Sequence, residues 1–288
     1  SYDADGAFAI GTRTDYTDTL SGLASSTLTR EDGTLAGDAC SSYGAPATLT
    51  GAPAQSGLAT GCYRYVLTGT DNVGNTVSRT TVVKVDLTDP VAPTLTLADS
   101  SAAVHATGTT AFYRPAGSGS FDVTAAAIDG QSGISGYTFP SLAGFVASGS
   151  GATKTYTLAT PTEADGAKTV TAANNAGRTS TADFTLTVDS AAPGGGSITA
   201  NGGGAYNTSG TVALVKVDYA DGGSGIGTQP ITRESATLTN DSCGAFSGSD
   251  PVTITGGFDP DALVNGCYRY TLTGTDNVGN QSSTQSTI

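Results

Sequence analysis

The sequence predicts an all-β chain folded as three β-sandwiches in tandem, and three observations carry that reading. Residues 61–75 return as residues 266–280 with one substitution, Val66 becoming Thr271. Repetition that close marks an internal repeat, which sets the architecture before any local signal does. Composition disfavours helices: 40 Gly, no Met, no Trp and 13% charged residues leave little of the stock from which helices are made. Thr and Val are abundant instead, and β-branched residues fit a pleated, half-buried surface. Finally, the apolar runs are short and separated by turn signals every 8–12 residues or so, the pattern of a β-sandwich.

The repeat phases everything else. Tyr63, Tyr65 and Leu67 alternate with Arg64, Val66 and Thr68 as a half-buried strand does, and Asp71-Asn72-Val73-Gly74-Asn75 follows as a tight turn. The strand is the penultimate one of its segment. Asp15-Tyr16 matches Asp218-Tyr219, Thr29-Arg30-Glu31 matches Thr232-Arg233-Glu234 and Cys40 matches Cys243, all displaced by 203 residues. The first segment therefore spans 1–90 and the third 191–288, with a cousin lacking cysteine at 91–190. There Asp129-Gly130-Gln131-Ser132-Gly133-Ile134 matches Asp221-Gly222-Gly223-Ser224-Gly225-Ile226, and Asn174 stands where Asp71 and Asp276 stand. The linkers Asp86-Leu87-Thr88-Asp89-Pro90 and Asp189-Ser190-Ala191-Ala192-Pro193 carry proline, which stiffens the joint and stops a strand from crossing it. In the middle segment, strands are expected at 94–98, 120–128, 136–139, 154–158, 167–173 and 180–188. No stretch has helical periodicity.

Cys40 with Cys62 and Cys243 with Cys267 occupy equivalent places in their segments. This argues for two disulfides and an oxidising compartment rather than a zinc site, for which the spacings are long and His105 is the only histidine. Each closed loop should add about 3 kcal/mol. The net charge of −13 speaks against nucleic acid or an anionic membrane as partner, since both reward clustered Lys and Arg. No apolar run of about 20 residues exists to span a bilayer as a helix. With neither a starting Met nor a signal peptide, the chain reads as a mature or excised segment.

The Val-Asp linkers ending in proline, the Asp-x-x-Ser-Gly-Ile turn and the Thr-Asp-Asn-x-Gly-Asn hairpin resemble bacterial immunoglobulin-like repeats, strung into large secreted or surface proteins of adhesin type. The resemblance covers the whole chain. It implies seven-stranded modules in single file, exported to the cell surface or beyond, acting as spacers or adhesive segments. Partners are then neighbouring repeats or copies of the same chain, or else a glycan or surface protein. Ser1 aligns with Gly204, so the first segment has no counterpart of 193–203, the third segment's opening strand; Ile288 aligns with Val83, so the third has none of 84–86. A longer array divided at these points is one account. Head-to-tail completion by strand addition into a filament is the other; neighbour contacts in repeat arrays, which need no strand exchange, favour the first.

Asp18, Asp129 and Asp221 hold one equivalent position, Asp71 and Asp276 head the hairpin turn, and Asp86 and Asp189 end the strand before each linker. Carboxylates at strand ends near a joint are hard oxygen ligands suited to Ca²⁺, and repeats resembling these often carry calcium there, where it stiffens the rod. Each aspartate also has a reading without metal, because Asp and Asn in turns bond their own backbone amides. Asp3-Ala4-Asp5-Gly6 lacks the later ligands of a calcium loop and reads as a hairpin tip.

Enzymatic chemistry has no foothold in the sequence. His105 reads as an edge-strand surface residue, and there is no nucleophile elbow, phosphate loop or histidine pair. Of the glutamates Glu31, Glu163 and Glu234, the first and last are repeat-equivalent and read as architectural. Lys216, Asp218 and Asn280 form the one trio for a spontaneous isopeptide bond, although Arg13 replaces the lysine in the first segment. Tyr63, Tyr65, Tyr268 and Tyr270 follow the core alternation, which leaves Phe112 and Tyr113, beside Arg114 and Pro115, as the expected exposed aromatic patch.

Overall fold

The structure, a computed structural model, describes residues 1–288. It is all-β, with a single 3₁₀ turn at Asn201–Gly203, and its buried apolar residues form three separate clusters, one in each segment. No helix is long and apolar enough to cross a membrane.

The middle segment shows the immunoglobulin-like plan most completely. Phe145–Ser148, Thr153–Leu158, Ser120–Ala126 and Thr94–Asp99 pair in that order as one sheet. The other sheet runs Ile134–Thr138, Gly166–Asn174, Thr179–Val188, Thr110–Tyr113, Val104–Thr107. All pairs are antiparallel except Thr110–Tyr113, which lies parallel to the last strand. Between the sheets Phe121, Tyr156 and Phe184 are fully buried and in mutual ring contact. The buried Tyr156 hydroxyl is compensated by donating to Pro140 O at 2.6 Å.

The expected strands all form, with ends shifted by one or two residues, and three short ones are added to make nine. Val104–Thr107 and Thr110–Tyr113 make a hairpin around Gly108, whose φ of +58° suits the turn. The first strand of the sandwich is thereby split between the two sheets. This also corrects the expected aromatic patch: Ala111 and Tyr113 point inward, Tyr113 is 1% exposed, and its hydroxyl donates to Glu163 O.

The first segment builds one sheet, in the order Tyr2–Asp3, Thr76–Val85, Gly61–Asp71, Leu23–Ala36, Ala39–Ser41, with Ala47–Leu49 also on Leu23–Ala36. Phe8, Ile10 and Leu58, outside the strands, pack against its four buried residues. Asp3 to Gly6 is not a hairpin tip, because Tyr2–Asp3 runs parallel to the last strand and the Asp3 carboxylate accepts the Gly6 amide at 2.6 Å. In the third segment Cys267–Asp276 pairs with Gln281–Thr287, Ile231–Ala236 and Ile226–Thr228, and Ser247–Val252 lies beyond Ile231–Ala236. Ser197–Ala200 and Leu214–Val217 form a separate two-stranded sheet. Both disulfides are present, Cys40–Cys62 and Cys243–Cys267. Glu31 and Glu234 prove architectural: each faces an arginine across its strand pair, Arg64 and Arg269 respectively, and bonds it.

His105 does lie on an edge strand, with Nδ1 3.5 Å from the Asp99 carboxylate. The isopeptide trio is not assembled. Lys216 pairs with exposed Asp218 at 2.6 Å, while Asn280 is bonded elsewhere, to Asp276 and to Asp189 O.

Candidate metal centre at the joints between segments

Each segment places two turns side by side at one end. Asn72, Asn175 and Asn277, second in the hairpin turns, donate through Nδ2 to Ser21, Ser132 and Ser224 carbonyls at 2.7, 2.6 and 2.7 Å. Their own amides donate to Gly22, Gly133 and Gly225 carbonyls, each at 3.0 Å. The residue heading each hairpin turn bonds the backbone after it: Asp71 Oδ1 accepts Val73 N and Asn75 N, and Asp276 Oδ1 accepts Val278 N and Asn280 N. Asp71 and Asp276 thus each serve their own hairpin turn, as aspartates in turns do without any metal.

At two of these ends the linker of the preceding segment brings a further aspartate. Asp86 and Asp129 meet Asn174 at the first joint, and Asp189, Asp221 and Asp276 meet at the second. Asp18 and Asp71 stay with their own turns, Asp18 accepting Ser21 Oγ at 3.0 Å, and no third carboxylate joins them.

Only the second joint has the donor set of a metal centre. One carboxylate oxygen each of Asp189, Asp221 and Asp276 lies within 4.8 Å of the others, with Asp189 and Asp276 3% exposed. Like charges that close repel by roughly 3 kcal/mol per pair at an effective dielectric of about 20. None of the chain's ion pairs involves these aspartates. Their partners are hydrogen-bond donors: Ser224 N to Asp189 at 2.7 Å, Gly223 N and Gly225 N to Asp221, and Asn280 Nδ2 to Asp276 at 2.7 Å.

Two further details fit a cation there. The Ser224 hydroxyl is buried with no hydrogen-bond partner, an arrangement that ordinarily costs about 1–3 kcal/mol; a cation would use its lone pair. Gly223 lies so close that a Cβ on it would sit 2.6 Å from the Asp189 carboxylate. Any larger residue there would press on the Asp189 carboxylate as it is placed here. Sequence spacing alone flagged the three aspartates but gave no sign of Ser224 or Gly223, whose roles depend on the linker folding back onto the turn.

The first joint is satisfied without such a group. Asn174 Nδ2 donates toward Asp86 Oδ2 at 3.1 Å, Thr88 O at 3.0 Å and Asp129 Oδ2 at 3.1 Å, and Ser132 Oγ donates to Asp86 Oδ2 at 2.6 Å. Burial alone would raise the Asp86 carboxyl, but the bonds from Ser132 and Thr88 outweigh it and hold it below the usual carboxylate range. The hairpin next to Cys40 also crosses this joint, Gly37 N donating to Gly130 O at 2.9 Å and Asp38 N to Gln131 O at 2.8 Å. The second joint has no such hairpin; there Arg114 donates to Gly279 O at 3.0 Å.

No family model and no curated protein matches the sequence. Among solved structures, the chain is similar to murine CEACAM1b at 14% identity and a TM-score of 0.30, over 64% of this chain and 99% of that one. Mouse clustered PcdhgC3 EC1-3 aligns at 14% identity and a TM-score of 0.29, over 80% of this chain and 76% of that one. Drosophila N-cadherin EC1-4 aligns at 14% identity and a TM-score of 0.24, over 99% of this chain and 70% of that one. The chain's own geometry therefore carries the functional reading.

Proposed function

We propose that this chain is an extracellular structural segment, a stalk, spacer or fibre piece of a bacterial surface or secreted protein with a part in adhesion, stiffened by Ca²⁺ at its second joint. Its modules span 1–90, 91–190 and 191–288. The observation that carries this is the Asp189–Asp221–Asp276 cluster, assembled from one segment's linker and the next segment's two turns. A cation held there ties two bodies together, which is what a rod needs and what a catalytic cleft does not. Ca²⁺ suits the site better than Mg²⁺ because it accepts several carboxylates in irregular geometry, whereas Mg²⁺ keeps most of its water. The three carboxylates and the Ser224 hydroxyl would supply part of its shell and water the rest.

Thermal melting and small-angle scattering of the whole chain test this. Ca²⁺ should raise the melting temperature and lengthen or narrow the distance distribution, and a chelator should reverse both. Identical melting curves with Ca²⁺ and with chelator would refute the cation. Stabilisation at a hundredfold excess over Kd should be about 2.7 kcal/mol.

A second reading, that of a ligand-binding module, has one observation in its favour. A cleft of about 690 Å³ beside Cys243–Cys267 is lined in part by Tyr206, Leu238, Val264 and Tyr268. Tyr206 is 60% exposed and Val264 78%, so an aromatic and an aliphatic face are open to a sugar ring or a partner's side chain. A glycan array separates the two readings: selective binding that Tyr206→Ala abolishes favours the binder, and a blank array favours the spacer.

A further inference from the structure

The two joints are copies of one design that differ at a few positions, and those differences point one way. Asn174 is framed by its turn as Asp276 is by its own: Asn174 Oδ1 accepts Ala176 N at 3.1 Å and Arg178 N at 2.9 Å, as Asp276 Oδ1 accepts Val278 N at 3.0 Å and Asn280 N at 2.8 Å. The side chains therefore present their second arm in the same direction, toward the linker aspartate and the turn aspartate. At the second joint that arm is an anionic oxygen. At the first it is an amide nitrogen, with three oxygens at 3.0–3.1 Å around it.

We propose that Asn174 stands in for a cation at the first joint, so that this joint closes without metal while the second requires it. The inference rests, for the second joint, on the calcium reading above. An amide NH₂ carries two protons and a partial positive charge, and here it faces Asp86, Asp129 and the Thr88 carbonyl, the kind of oxygen cage a hard cation would occupy. The serines agree. Ser132 Oγ spends its proton on Asp86, whereas Ser224 Oγ, at the equivalent place, has no partner. The residue after each turn differs too: Arg178 occupies the position of Asn280 and ties the linker down by pairing with Asp89 at 2.8 Å and donating to Ala4 O, whereas Asn280 donates to Asp189 O and Asp276. The clasp from Gly37 and Asp38 to Gly130 and Gln131 completes a joint that is closed by hydrogen bonds and the Arg178–Asp89 ion pair. The segment is thus a rod with one permanent joint and one whose stiffness follows the cation.

Calorimetric titration of CaCl₂ into the full chain, with Asn174→Asp and Asp276→Asn beside the wild type, tests this. Asn174→Asp should add one bound Ca²⁺ per chain to whatever the wild type takes up, and should melt lower than wild type in chelator but recover in Ca²⁺. An Asn174→Asp chain that takes up no more Ca²⁺ than wild type, or whose loss in chelator Ca²⁺ does not restore, would overturn the proposal. Asp276→Asn should lose the wild-type site and melt higher in chelator than the wild type does. If it still responds to Ca²⁺ as the wild type does, an asparagine at this position does not replace a cation and the idea fails. The calcium reading fails separately, if the wild type binds none; an Asn174→Asp chain that then gains a site still supports the role given to Asn174.

Discussion

The first and third repeats share a disulfide, a Glu–Arg cross-strand pair and nearly identical penultimate strands, yet the third buries a core cluster of nine residues and the first one of four. The difference lies in the facing layer. In the third repeat Ser197–Ala200 pairs with Leu214–Val217, and Ile198, Ala200, Val212 and Leu214 are buried beneath it. The matching stretch of the first repeat, 11–14, forms no strand. Tyr219 shows the consequence: it is 5% exposed, and a Cβ on either Gly196 or Gly274 would collide with its ring, at 2.3 and 2.6 Å. Its counterpart Tyr16 has only Gly69 beneath it and is half-buried. A penultimate strand specifies one sheet; a dense core needs the second sheet as well, since apolar area is removed from water only when both faces close.

The largest test of this contrast is a pair of core truncations. Leu272 is fully buried, so Leu272→Ala should cost about 3–4 kcal/mol including the cavity it leaves. Leu67, its repeat equivalent, is only partly buried, and Leu67→Ala should cost about 1 kcal/mol. Hydrogen exchange followed peptide by peptide reads the two repeats separately in one chain. Equal losses would mean that the facing layer of the first repeat is as well packed as that of the third.

Reduction comes next. The bridges span 22 and 24 residues of separation, and each should contribute about 3 kcal/mol by restricting the unfolded chain. The same loss falls on unequal cores. Under reductant, amides of 61–71 should exchange at or near the unfolded rate while those of 267–276 keep measurable protection. Parallel loss in both would contradict the contrast.

Much of this was legible in the residues. The repeat, both cysteine pairs, the Asp71–Asn75 turn and the strand alternation at Tyr63 and Tyr65 are local patterns, and local patterns survive into the fold. What lay hidden depends on segments meeting. The clasp of Gly37 and Asp38 on Gly130 and Gln131 uses backbone groups, which leave no side-chain signature. Asn174 read only as an asparagine standing in the place of Asp71 and Asp276, whereas its amide is the centre of the first joint. Tyr113 read as exposed because Arg114 and Pro115 follow it, yet the phase of a short strand set by the turn at Gly108 turns it inward. Of the seven candidate aspartates, spacing alone did not distinguish the three at the second joint from the rest. The distinction arises because a linker folds back against two turns.

A smaller effect sharpens the comparison at the turns. Gly223→Ala places a methyl group against the Asp189 carboxylate and should weaken Ca²⁺ binding about tenfold, close to 1.4 kcal/mol. Leu20, at the matching place in the first repeat, is 96% exposed, and Leu20→Ala should change stability by less than about 0.5 kcal/mol. Titration calorimetry gives the first number and melting the second. If Gly223→Ala leaves Ca²⁺ binding intact, the close approach of Asp189 is incidental.

The smallest expected effect concerns acid, at Asp86, where the first repeat's last strand enters the linker. Its carboxyl is buried, which alone would favour the protonated form, yet donors from Ser132 and Thr88 favour the anion more strongly. The folded pKa is therefore below the unfolded value of 3.8. Unfolded chains bind the proton first, so the stabilisation is complete above the unfolded value and is lost as pH falls through the folded one. A carbon-detected titration of the Asp86 carboxyl should show a midpoint below 3.8, and contacts between Ser132 and Asp86 should weaken only as that midpoint is crossed. A midpoint at or above the unfolded value would mean that burial governs the group. In that case the bonds from Ser132 and Thr88 do not offset the burial of the carboxylate, and the first joint draws no net stability from holding Asp86 as an anion.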